Sequence, residues 1–318
     1  MIQWGINALN HGNSLAVFKN GEFENCYINK TSDNIDSSVI RHQLDHNGAP
    51  DIVYWYERPW VKKARQLYAK QYETALDMSV LPSRYLKRIG LGYAKIKYTP
   101  HHGSHAAAGY YTSPFNHCAV VVLDAIGEFE CASIWECMHG EMKKVWTARY
   151  PHSLGLYYSA FTKLLGLTPI KDEHLLQQMA EQGDPSRYRR EVGHYFNTGP
   201  VELDYNFHRG VLNWNTPFRD LQDQCDLAAS VQERFEIQVG RVMLKAQQLT
   251  NADSLVYMGG CAMNSRANKL EVEPRFKYIW SLADPGDPSS AIGAVAYHTK
   301  QRIWRDTFAP VKHIEIRV

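Results

Sequence analysis

Residues 118–150 read CAVVVLDAIGEFECASIWECMHGEMKKVWTARY. Cys118 to Asp124 is a valine-rich apolar run of the kind a buried strand needs, and Cys131 to Cys137 alternates between apolar and polar positions. A turn at His139-Gly140 leads into a third extended stretch, Met142 to Tyr150. The chain opens in the same way. Ile2 to Asn7, a polar turn, Ser14 to Lys19, a turn at Asn20-Gly21 and Glu22 to Ile28 form a second three-strand meander, and Asn-Gly is a strong hairpin signal. Each meander is followed by helices and strands. The first half continues with a helix over Asp36 to Asp45, a strand over Asp51 to Tyr56, helical stretches at Trp60 to Leu76 and Ser83 to Leu91, and a strand at Lys95 to Tyr98. The second continues with helices at 154–165 and 226–250, a strand at Ser254 to Met258, a helix from Asn264, a strand at Lys277 to Leu282 and a last helix over Ser289 to Lys300.

One grammar used twice predicts two similar α/β lobes, over 1–115 and 116–318, with a cleft between them. Ligands in such folds sit where strand ends and helix N-termini converge. The two first meander turns, Asn10 to Ser14 and Asp124 to Glu128, are therefore expected to border the cleft.

Composition is compatible with this. A chain of 318 residues, 44% hydrophobic, can bury the cores of about two domains. A net charge of +2 neither requires nor excludes a nucleic-acid partner. The six cysteines contain no CxxC pair, which argues for reduced thiols over a disulfide framework or a zinc ribbon. The N-terminus lacks the basic and apolar regions of a signal peptide, and the apolar strands are too short to span a bilayer. A soluble, cytoplasmic protein that does not engage a membrane is expected.

The richest local signal is His101-His102-Gly103-Ser104-His105, followed by Ala106-Ala107-Ala108. Thr99 and Pro100 in front of it read as an N-cap and a first-turn proline. His101 and His105, four apart on one helical face, can grip one metal ion or form a hydrogen-bonded structural pair. A surface helix has little reason to set histidines beside small alanines unless something must approach closely.

Four blocks, in order, resemble one family: HHGSHAAAGYYTSPFNHCAVVVLDAIGEFECASIW (101–135), YPHSLGLYYSAFTKLLGL (150–167), VYMGGCAMNSRANKL (256–270) and DPGDPSSAIGAVAY (284–297). The family is that of the NodU/CmcH O-carbamoyltransferases, whose core is similar to the TsaD-type tRNA threonylcarbamoyltransferases. The resemblance implies the two-lobed actin-like ATPase (ASKHA, duplicated RNase H-like) fold. It also implies a carbamoyl group moved from carbamoyl phosphate or carbamoyl-adenylate to a hydroxyl. It places His101, His105 and Asp287 at metal-ligand positions, with Asp124 as the fourth ligand. Imidazole nitrogens with carboxylate oxygens suit iron, manganese or zinc. The resemblance further makes His11 the base on the acceptor hydroxyl and Lys30 a donor contact. It sets Gly155, Gly259, Gly260 and Asn264 at the ATP or AMP moiety.

The chain also departs from the family. Gly12 stands where an aspartate commonly follows the histidine, and DEHLLQQMAEQG (172–183) has Leu175 where a lysine is expected. The family's YrdC-like domain, which makes carbamoyl-adenylate, is not expected in the residues that follow the core here. A separate YrdC-like donor-forming partner, or direct use of carbamoyl phosphate, is therefore expected.

The acceptor is read from charge. Residues 57–98 carry ten basic side chains against Glu57, Glu73 and Asp77, interleaved with Trp60, Tyr68, Tyr72, Tyr85, Tyr93 and Tyr98. Arg187, Arg189 and Arg190 with Tyr188 and Tyr195 make a second such patch, and FHRGVLNWNTPFR (207–219) a third. Basic stretches with aromatics fit a nucleic-acid groove. They point to DNA whose pyrimidines carry a hydroxymethyl group, as in 5-hydroxymethylcytosine, flipped into the cleft. A sugar or antibiotic hydroxyl is the alternative acceptor. A non-catalytic nucleotide-binding subunit of a carbamoylation complex is the alternative from another class.

Overall fold

The computed structural model describes residues 1–303; residues 304–318, the end of the expected second lobe, lie outside the described residues. The first half runs β1 (Ile2–Asn10), β2 (Gly12–Lys19), β3 (Glu22–Asn29), α1 (Ser37–Asn47), β4 (Ile52–Trp55), α2 (Pro59–Tyr68), α3 (Tyr72–Leu76), α4 (Pro82–Arg88), β5 (Lys95–Tyr98) and α5 (His101–Thr112). The second runs β6 (His117–Gly127), β7 (Glu130–Met138), β8 (Glu141–Arg149), α6 (Leu154–Leu164), α7 (Glu173–Ala180), α8 (Arg189–Gly193) and α9 (Leu221–Thr250). It ends with β9 (Ser254–Met258), α10 (Ser265–Ala267), β10 (Tyr278–Trp280) and α11 (Ser290–Thr299).

The duplication is present strand for strand. The sheets are ordered β3-β2-β1-β4-β5 and β10-β9-β6-β7-β8. In each, the first strand is antiparallel to the second and parallel to the fourth. Both first hairpins lose register just before their tips, between Asn7 and Asn10 and between Leu123 and Gly127. Such bulges re-aim side chains out of the sheet. The segments thrown out are those that carry the residues before His11 and Asp124 itself.

α5 is not a surface helix. All twelve of its residues are buried, in a core that also draws Trp4 and Ile6 from the first sheet, Val120 and Val256 from the second, and Ala294 from α11. The small residues serve these contacts. A Cβ on Gly293 would lie 1.7 Å from the Ser104 carbonyl oxygen, one on Gly5 1.9 Å from that of Ala291, and one on Gly109 2.4 Å from Val256 Cγ1. What approaches the alanines is therefore α11 and the second sheet.

Several local expectations are corrected. α5 starts at His101 with Pro100 in the N-cap position, and Thr99 Oγ1 instead donates to the Ala294 carbonyl at 3.2 Å. The helix read over Trp60 to Leu76 is two helices, broken around Lys70, whose φ is +61°. The helix read from Asn264 is the single turn α10, followed by a π-helical stretch at Asn268–Val272. α9 starts five residues earlier than read, capped by the Asp220 side chain accepting from the Asp223 amide. No helix among the described residues is long and apolar enough to cross a membrane.

Candidate metal centre and active site

His101 and His105 stand one turn apart on α5, Asp124 sits in the β6 bulge and Asp287 opens the short turn leading to α11. One ligand atom from each of these four lies within 4.8 Å of all the others. His101 Nε2 is 3.1 Å from His105 Nε2, 3.2 Å from Asp124 Oδ2 and 3.3 Å from Asp287 Oδ1. His105 Nε2 is 3.2 Å from Asp287 Oδ1 and 3.8 Å from Asp124 Oδ2. Four ligands at about 2.1 Å around one ion stand roughly 3.4 Å apart, so these spacings suit a cation at their centre.

The electrostatics agree. Burial alone would lower the His101 pKa, but Asp287, Asp124 and Glu57 outweigh it and hold the imidazole well above its ordinary value. Burial likewise opposes ionisation of the carboxylates. His101 and His105 nevertheless keep Asp124 and Asp287 below the usual carboxylate range. Positive charge is thus favoured at this point. Two imidazole nitrogens facing each other at 3.1 Å cannot both keep lone pairs there without a proton or a metal between them.

The third histidine is separate. His102 Nδ1 pairs with Ser133 Oγ at 2.8 Å, and Trp135 Nε1 donates to the same hydroxyl at 2.9 Å. Burial pushes its pKa well down, so it is a neutral core residue.

Three residues not singled out from the sequence frame the cluster. Buried Glu57 follows β4, with Oε2 3.8 Å from His101 Nδ1 and Oε1 accepting from Lys62 Nζ at 2.7 Å. Burial pushes Glu57 up in pKa, and Lys62 and His101 bring it below its ordinary value. Glu128, with φ +58° at the second tip, accepts from the Arg58 amide at 2.7 Å and from its Nε, and Arg58 Nη2 closes the pair. Its Oε1 also lies 3.4 Å from the His101 amide, at the N-terminus of α5. The glutamate of the LDAIGE block (123–128) was the available signal. Its partner 70 residues away was not.

His11 is exposed and forms the one-residue turn between β1 and β2. That turn is braced by Asp33, whose Oδ1 accepts from the Gly12 amide at 3.1 Å and whose carbonyl accepts from the Leu9 amide at 2.8 Å. Gly12 has φ +79°, and a Cβ there would stand 3.0 Å from the Asn29 carbonyl oxygen, which accounts for the absence of aspartate. Lys30, at the end of β3, is largely exposed, and its Nζ lies 2.7 Å from Asp284 Oδ2, three residues before Asp287. A cavity of about 190 Å³ opens beside Glu57 and is bounded by Asn10, Trp55, Lys62, Gln66 and Val80.

The glycines and Asn264 divide by role. Gly259, with φ +93°, passes against Leu123, and its amide donates to the Pro285 carbonyl at 2.8 Å. The Gly260 amide lies 3.4 Å from Asp124 Oδ1. Gly155 lets the start of α6 touch the tip backbone, since a Cβ there would stand 2.6 Å from Ala125 Cα. Asn264 caps α10 through the Ala267 amide and exchanges hydrogen bonds with buried Gln232, so its carboxamide is already engaged.

Much of the basic and aromatic surface is internal. Lys63 is buried and donates to the carbonyls of Thr74, Ala75 and Asp77, and Arg65 is buried against Gln71. Tyr85, Tyr188 and Tyr195 are core residues. In the third patch, Phe207 is buried, Trp214 packs on Tyr188 and Arg219 is held by Asp223. Trp60, Tyr68, Tyr72 and Tyr93 remain exposed.

Known proteins bear on this arrangement. An uncharacterized protein of Synechocystis sp., sll1178, is 29% identical over 91% of this chain and 55% of its own length. The nodulation protein NolNO of Sinorhizobium fredii is 28% identical over 72% of this chain and 33% of its own. The chain thus spans between a third and just over half of these relatives. Among solved structures, full-length HypF, determined in its phosphate- and nucleotide-bound form, superposes with a TM-score of 0.53 at 11% identity, over 96% of this chain and 56% of HypF. That likeness shows the fold. The family model described as Carbamoyltransferase N-terminus covers residues 30–296, a span that includes all four residues of the histidine–aspartate cluster, and the chain belongs to that family.

Proposed function

We propose that the protein transfers a carbamoyl group from carbamoyl phosphate or carbamoyl-adenylate to an acceptor hydroxyl. The observation that carries this reading is the convergence of His101, His105, Asp124 and Asp287 on one point between the two sheets, in a chain of the carbamoyltransferase family. Two neutral imidazoles and two carboxylates fit a divalent iron, manganese or zinc ion and balance its charge. Such an ion supplies Lewis-acid stabilisation of phosphate or carbamoyl oxygen.

The chain's own residues do the rest. The acceptor oxygen attacks the carbamoyl carbon and forms the new C–O bond. The bond from that carbon to the phosphate oxygen breaks, and phosphate, or AMP, leaves with the electron pair. His11 takes the hydroxyl proton, acting as a general base. Lys30, tethered by Asp284 beside the Asp287 loop, contacts the anionic donor. The AMP moiety of an adenylated donor lies against the Gly259-Gly260 turn, with Gly155 and Asn264 as scaffold behind it. A YrdC-like protein supplies that donor where carbamoyl phosphate is not used directly.

The acceptor enters the cavity beside Glu57, which is bordered by Asn10, the residue before His11. A small-molecule hydroxyl suits a cavity of this size. The second reading, a hydroxymethylpyrimidine in DNA, is supported by exposed Trp60, Tyr68 and Tyr72 on the helices that wall the cavity.

The test offers the purified protein carbamoyl phosphate, with and without ATP, and hydroxymethylcytosine DNA, free nucleosides and amino sugars in parallel. Mass spectrometry then reads the carbamoyl adduct. Adduct on DNA alone decides for the modified base, and adduct on sugars decides for the small molecule. No adduct on any acceptor, even with a YrdC-like protein added, rejects transfer and leaves the nucleotide-binding subunit.

A further inference from the structure

The arginine-rich stretch around α8 plays no part in the transfer chemistry, and its geometry is that of a separate site. Tyr188 and Tyr195 point into the core. Arg187 reaches Asp223 at 3.8 Å, and Arg189 is held by Glu233 through Nε at 2.8 Å and Nη2 at 2.7 Å. Two further arginines, Arg190 from α8 and Arg234 from α9, border a shallow, open cleft of about 610 Å³, with His194 and Phe196 beside them. Arg234 is fixed by packing: its Cζ lies 5.7 Å from the centre of the Phe196 ring, and a Cβ on Gly193 would come within 2.8 Å of its Nη2. Glycine at 193 therefore leaves room for that guanidinium.

Neither arginine has an acidic partner. Among the described residues no carboxylate pairs with Arg190 or Arg234, although the ion pairs of Arg187 and Arg189 lie alongside. Asp204, the acid in the cleft wall, accepts from Asn197 Nδ2 at 2.6 Å. Two arginine forks without an acidic partner, bordering one shallow cleft, suit the oxygens of a phosphate group better than a lysine pair would.

We propose that this open cleft binds a small phosphate monoester such as a sugar phosphate. A strand of nucleic acid fits less well, because the neighbouring tyrosines are turned inward and only the Phe196 and His194 rings border the cleft. The site is independent of the transfer reaction, so it stands or falls separately from it.

Isothermal titration calorimetry on the full chain tests this with three probes: glucose 6-phosphate, inorganic phosphate and a short DNA duplex. Wild type is expected to bind glucose 6-phosphate saturably. Arg190→Ala and Arg234→Ala should each weaken that binding roughly tenfold or more, the loss of one charged hydrogen-bonding partner, with unchanged thermal melting. Lys143→Ala, an exposed charge elsewhere, should bind as wild type does. No saturable binding of glucose 6-phosphate, full affinity in both arginine variants, an equal loss in Lys143→Ala, or binding of the duplex alone would each overturn the assignment.

Discussion

The two meander tips are built alike and used differently. Each follows a break in register on the first strand of its sheet, so both project out of their sheets. The second tip is locked. It places Asp124 among the cluster, and its Glu128 ties Arg58 and the start of α5 together across the lobes. The first tip is open. His11 is exposed, and Asp33 and Gly12 hold only the backbone around it. One half of the duplication has become a fixed anchor and the other presents an accessible side chain. A transfer reaction needs both, a rigid place for the donor and a group that can meet an incoming hydroxyl.

Five experiments test this contrast. The largest effect is expected on the locked side. His101→Ala should lose the bound metal and all detectable carbamoyl transfer, and stoichiometric metal retained in that variant, read by plasma mass spectrometry, would remove His101 from the ligand set. On the open side, His11→Ala should lower the transfer rate by about 10²–10⁴-fold with metal content unchanged. Undiminished turnover would leave the first tip without a chemical role. Chelation of the wild-type protein should cost about 3–4 kcal/mol of stability if the ion is held at a hundred to a thousand times its Kd. Denaturant titration should show the same loss in His11→Ala and none in His101→Ala. Glu128→Gln weakens a buried charge-assisted set and should destabilise by about 1–3 kcal/mol; a neutral result would show that the lobes do not depend on it. Gly12→Asp, which restores the family's common residue, should cost about 1–2 kcal/mol through its left-handed backbone. A gain in both activity and stability would contradict the geometry of that turn.

The duplication and most of the cluster were legible because their signals are local. Strand alternation, turn residues and the spacing of His101 and His105 each act within a few positions, and the blocks around Asp124 and Asp287 carried the resemblance. What escaped depends on partners far away in the chain. The alanines after His105 are small because α11 and the second sheet press on α5, and nothing within residues 101–112 announces that. Glu57 and the Arg58–Glu128 pair gain meaning only when the two sheets are brought together. The same reason explains the overread aromatics: Tyr188 and Tyr195 look like a binding patch beside arginines in sequence, and only packing against α6 and α9 turns them inward. Gly155 and Asn264, which the motifs set at the nucleotide, also have local structural contacts, one spacing a helix from a loop and the other capping a turn.

The position of α11 has a consequence for the order in which the protein is made. Gly5, on the first strand, lies against Ala291, and Ser104, on the histidine helix, lies against Gly293. The face of β1 and one side of α5 thus stay uncovered on a growing chain until residues near 290 have been added. Asp287 arrives with that same segment, so the last residue of the histidine–aspartate cluster and the missing layer of core reach the first sheet together. Chains released early from the ribosome would carry the histidines without the site and expose the apolar faces that proteases and chaperones recognise. Closure of this core layer and assembly of the histidine–aspartate cluster are, for this topology, nearly one event.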